Sequence, residues 1–165
     1  MRSTGWNLVV FGMIVAAGIV VAGPAQADDA DAFFDDSYVH EIRITFADTD
    51  WFSTLYYSHR DDPDDPYFPA AVECDGVAFD EVGVRFKGNS SFNLPGVKKS
   101  FKIDFNEYDE ETTFVGLKKL NLNNGYKDPT MMRAKLFLDF AGLYVPTVRA
   151  VHTRVYVNGT YWGLY

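Results

Sequence analysis

The sequence predicts an α+β fold: a largely antiparallel, twisted sheet with a helix packed across it. Short runs of alternating apolar and polar residues recur from Tyr38 to Tyr165. Two-residue turn signals, Asp75-Gly76 and Asn158-Gly159, join neighbouring runs into hairpins. Two further segments, one around Trp51 to Tyr56 and one over 130–142, carry apolar residues at helical spacing.

The first residues read as an export signal. Arg2 and the amino terminus are positive, Leu8 to Ala22 is an unbroken run of 15 apolar residues and glycines, and Ala25-Gln26-Ala27 has the small-x-small pattern of a cleavage site. Fifteen residues fall short of the roughly 20 that span a bilayer, so the expectation is a signal peptide over 1–27, a secreted or extracytoplasmic product and no stable membrane anchor after cleavage. Residues 28–37 follow as a flexible acidic lead-in, and 38–165 form one domain.

The whole chain carries 15 Lys and Arg against 23 Asp and Glu, a net charge of −8, and losing 1–27 removes only Arg2 from that balance. Such acidity excludes a general nucleic-acid binder, which needs a basic surface to neutralise phosphates. Cys74 is the only cysteine, so no disulfide within the chain is possible. Placed beside the Asp75-Gly76 turn, it reads as a small, half-buried apolar residue.

From Tyr38 the alternation places Ile42, Ile44 and Phe46 inward on a first strand. Asp48 or Thr49 caps a helix that buries Trp51, Phe52, Leu55 and Tyr56. The Asp61-Asp62-Pro63-Asp64-Asp65-Pro66 run ends that helix. It lacks the glycine and distal glutamate of a known calcium loop, and reads as a solvated acidic loop. Ala70 to Cys74 and Val77 to Lys87 form a hairpin, with Val82, Val84 and Phe86 on one face and Arg85 and Lys87 on the other. Ser100 to Phe105 repeats this arrangement, with Phe101, Ile103 and Phe105 opposite Ser100, Lys102 and Asp104. Lys118 to Asn123 turns Leu120 and Leu122 inward. Asp128 and Pro129 then open a helix over 130–142 whose stripe is Met132, Leu136, Phe140 and Leu143, and Val151 to Val157 pairs with Tyr161 to Tyr165.

One loop invites chemistry. In Val84-Arg85-Phe86-Lys87-Gly88-Asn89-Ser90-Ser91-Phe92, Gly88 permits positive φ, the next three residues offer N–H groups and short polar side chains, and cations flank both ends. That combination can hold a phosphate. It is also ordinary turn chemistry beside a solvated cationic face. Asp104 reads as a cross-strand ion-pair partner and Asp128 as a helix cap.

The segments DGVAFDEVGVRFKGNSSF, KKSFKIDF, GLKKLNLNNGYKDPTMMRAKLFLDFAGLYVPTV and VYVNGTYWGLY resemble, in order, successive blocks of the spore coat protein CotH kinase family, over about residues 38–165. The resemblance implies the N-terminal part of an atypical protein-kinase-like fold, ATP with Mg²⁺, and phosphorylation of a secreted or coat protein substrate. It places Arg85, Lys87, Gly88, Asn89, Ser90 and Ser91 at the nucleotide phosphates, with Lys99 or Lys102 as the charge partner. Strand alternation favours Lys102, because it puts that residue beside Arg85 and Lys87. The acidic residues that hold metal in this family lie beyond the last hairpin, so the resemblance carries no metal ligand and no catalytic acid onto a residue here, and the expectation is a chain inactive by itself. The alternative is a non-catalytic secreted module that binds protein or glycan, with Tyr56, Tyr57, Tyr67, Tyr126, Tyr161 and Trp162 as its contact surface.

Overall fold

The computed structural model describes residues 30–165; the expected signal peptide lies outside the described residues. Seven strands form one sheet in the order β5-β4-β3-β2-β1-β6-β7. They are β1 His40–Thr45, β2 Phe68–Cys74, β3 Val77–Lys87, β4 Ser100–Asp104, β5 Lys119–Leu122, β6 Thr153–Val157 and β7 Thr160–Leu164. Every neighbouring pair is antiparallel except β1 with β6. The helices are α1 Ala30–Phe33, α2 Trp51–Asp61 and α3 Arg133–Gly142.

Both hairpins turn where the sequence says they should. Asp75 and Gly76 have φ of 46° and 87°, Asn158 and Gly159 of 46° and 77°, the double left-handed geometry that matches the twist of the strands. Asn158 also ties its turn to the end of β1. Its backbone N–H donates to the Ile44 carbonyl at 2.9 Å, and its Oδ1 accepts from the Phe46 N–H at 2.8 Å.

One sheet face forms the core. Ile42 and Ile44, Val72 and Cys74, Val82, Val84 and Phe86, Phe101 and Ile103, and Val155 and Val157 are all buried, in step with the period-two alternation. Each of the larger side chains contributes about 1.5–3 kcal/mol by leaving water. Trp51 and Leu55 of α2 lie on this face, and Trp51 stacks on Phe46 with ring centroids 5.1 Å apart. The helix packed across the sheet is therefore α2.

Helix α3 departs from the expectation in two ways. It starts at Arg133, because Met131 takes a left-handed φ of 60° and interrupts the turn opened by Asp128. It buries none of its residues: Leu136, Phe137 and Phe140 are 59%, 67% and 63% exposed, so the apolar stripe faces outward. The lead-in differs too. Phe33 is buried against Phe114 and His40, and the Asp35 carbonyl accepts from His40 Nε2 at 2.9 Å. A buried aromatic and a hydrogen bond to a buried histidine hold 30–37 to the sheet. Among the described residues no helix is long and apolar enough to cross a membrane.

Candidate functional site

Arg85, Lys87 and Lys102 come together because β3 and β4 pair in register. Arg85 is the direct partner of Lys102, and Lys87 follows Arg85 on the same side of β3. On the far side of β4, Lys102 is opposite Asn121 of β5. Like charges directly opposite one another destabilise a sheet. Lys102 forms no ion pair among the described residues. Burial first, and the Lys102 and Arg85 charges second, pull the Lys87 ammonium below the usual lysine range.

These side chains line a cleft of about 590 Å³, shared with His59, Arg60, Asp65, Gly88, Asn89, Phe92, Asn93 and Asn121. Strand β3 ends at its rim because Gly88 adopts φ of +95°, and a Cβ there would sit 2.2 Å from the Ser91 hydroxyl. Only glycine meets both demands. The loop then closes on itself, with the Asn89 carbonyl accepting from the Asn93 N–H at 3.2 Å and from Asn93 Nδ2 at 3.1 Å.

The expected site residues divide into three groups. Arg85, Lys87, Gly88, Asn89 and Lys102 converge on the cleft. Ser90 and Ser91 line the adjoining wider groove, about 1260 Å³, together with Lys87. Lys99 is buried beneath the loop, where its Nζ donates to the carbonyls of Phe92 at 2.7 Å and Leu94 at 2.6 Å. Its cation holds the loop's backbone and does not reach the cleft. Asp104 pairs with Lys119, its neighbour across β4 and β5, and Asp128 Oδ2 accepts from the Arg133 N–H at 2.7 Å.

Sequence reasoning missed the residues on the other wall. Asp65 belongs to the run expected to be solvated, yet its Oδ1 accepts from His59 Nδ1 at 2.8 Å and its Oδ2 pairs with Arg85. The opposite ring nitrogen of His59, Nε2, lies 2.8 Å from the Gly88 carbonyl oxygen, and only the doubly protonated ring donates to both acceptors at once. The Arg85 guanidinium also lies over the Tyr67 ring, 5.0 Å from its centroid. The one local signal for this wall is Asp65 itself, preceding Pro66 in a run of acids; the pairing partners are 6 and 20 residues away.

Chemically, the cleft offers ammonium and guanidinium donors on a rigid sheet beside a small-residue turn, which suits an anion with several oxygens. Among the described residues no group of three or more His, Cys, Asp or Glu is placed to hold a metal ion. The aromatics of the binding-module alternative are dispersed: Tyr57, Tyr126 and Tyr161 are exposed on different elements, while Tyr56 and Trp162 pack against the core. Burial pushes the Cys74 thiol up to about 12, with the Asp75 and Glu73 charges adding to the shift, so it is no nucleophile.

The family model described as CotH kinase protein matches residues 84–165, which contain the whole cationic wall and the Gly88 turn. Inner spore coat protein H of Bacillus subtilis (strain 168) is 33% identical over 103 residues, covering 62% of this chain and 27% of that protein. The match thus spans about a quarter of that relative's length.

Proposed function

Because the chain belongs to the CotH family, we propose that its cleft binds the phosphates of ATP and serves phosphorylation of a coat or secreted protein, at an extracytoplasmic or coat location. The observation that carries this reading is the in-register pair of Arg85 and Lys102 with Lys87 beside them. Arg85 is paired with Asp65, but Lys102 has no ion-pair partner among the described residues, and an anion beside it offsets the repulsion from Arg85. ATP, when bound, would supply the transferable phosphoryl group. Lys87, Lys102 and Arg85 would hold phosphate oxygens, and the Gly88 turn lets the chain approach them closely. The residues fit the phosphates; they supply no cluster for Mg²⁺ among those described.

Calorimetry with ATP and Mg²⁺ tests the reading, comparing wild type with Lys102→Ala and Lys99→Ala. Binding abolished by Lys102→Ala and kept by Lys99→Ala supports it. A folded wild type that takes up no ATP refutes it.

A further inference from the structure

We propose that Asp65 sets the ligand specificity of this cleft by occupying it, so that only a polyanion displaces its carboxylate. The inference rests on the phosphate reading above. Among the described residues that line the cleft, Asp65 is the one carboxylate, and it faces Arg85, Lys87 and Lys102; Arg60, also on the lining, is already paired with Asp61. Both its oxygens are engaged, Oδ1 by His59 and Oδ2 by Arg85. Its backbone is left-handed, φ 45°, and its N–H donates to the Asp62 carbonyl at 3.2 Å. Aspartate is among the few residues other than glycine that tolerate that conformation, and the side chain of this nominally solvated loop is in the site.

The consequence is a threshold. An incoming anion must replace a carboxylate that already satisfies a guanidinium and the His59 ring. Orthophosphate brings at most about one more charge than the carboxylate it displaces and is too compact to reach the remaining cations together, so the exchange gains little. A chain of phosphates also reaches Lys87 and Lys102. Arg85 and Lys87, two residues apart on one strand, are separated by about 7 Å, and Lys102 lies about 5 Å across the ladder. Linked phosphates span that distance and meet three cations at once. Asp65 thus favours di- and triphosphates over single anions, and it leaves the cleft when they bind.

Titration of the purified chain with inorganic tripolyphosphate and with orthophosphate decides the matter. Asp65→Asn is expected to tighten orthophosphate about tenfold and tripolyphosphate by less, narrowing the ratio between them. Adding Arg85→Ala to Asp65→Asn removes the gain, because the freed guanidinium is its source. Should Asp65→Asn unfold by circular dichroism, Asp65→Ser keeps an acceptor for His59 without the charge and gives the same comparison. A folded variant with an unchanged ratio, or with weaker binding of both probes, overturns the inference while wild-type binding that Lys102→Ala abolishes leaves the phosphate reading standing. Failure of wild type and variant alike to bind either probe overturns both.

Discussion

Arg85 on β3 and Lys102 on β4 are direct cross-strand partners, two cations placed opposite one another in an otherwise acidic chain. Arg85 has Asp65 to neutralise it; Lys102 has no ion-pair partner among the described residues. Such a pair costs stability of order 0.2–1 kcal/mol. Lys102→Ala is therefore expected to raise the melting temperature slightly at low salt while abolishing phosphate binding. The rise shrinks as added salt screens the repulsion. Thermal melts at two ionic strengths check it, and a lower melting temperature for the variant would show that Lys102 is structural.

Lys99 predicts the opposite pattern. Its buried ammonium donates to the carbonyls of Phe92 and Leu94, and burial draws it below the usual lysine range. Lys99→Met leaves both carbonyls without this donor, at a cost of about 1–3 kcal/mol. Urea unfolding at neutral pH measures that loss. The variant protein that remains folded keeps its affinity for phosphate, which separates Lys99 from Lys102.

Asp128 gives a pH dependence with a definite sign. The Thr130 hydroxyl first, then the N–H groups of Arg133 and Thr130, hold its carboxyl below the usual carboxylate range despite burial. The folded value lies below the unfolded one, so the stabilisation is present above about pH 4 and is lost as pH falls through the folded value. Asp128→Ala is expected to be less stable than wild type at pH 6, and the gap is expected to close toward pH 2. Urea midpoints at the two values test this; a constant gap would mean the cap acts through its shape and not its charge.

Much of the sheet was legible because its signals are local. Alternation placed Val84, Phe86, Phe101 and Ile103 inward, and the same alternation put Lys102 beside Arg85 and Lys87. Lys99 sits where the loop folds over it, which no strand period describes. Asp65 and His59 were hidden for a related reason: they reach the cleft through pairings between α2, the acidic run and β3, and a run of four aspartates looks solvated until one finds an arginine. For α3 the period of 3.6 gave a helix and its apolar stripe, but periodicity does not say what covers a stripe. The core face of the sheet is already covered by α2.

That last difference can be measured. Phe140 is 63% exposed on α3, whereas Phe86 on β3 is fully buried beneath Phe92 and Trp51. Phe86→Ala removes a ring from a packed core and leaves a cavity, so a loss of about 3–5 kcal/mol is expected. Phe140→Ser removes a ring that water already reaches, and its effect is expected within about 0.5 kcal/mol of zero. Both variants go through the same urea titration, so denatured-state effects largely cancel in the comparison. A loss for Phe140→Ser approaching that of Phe86→Ala would mean the α3 stripe is covered in solution.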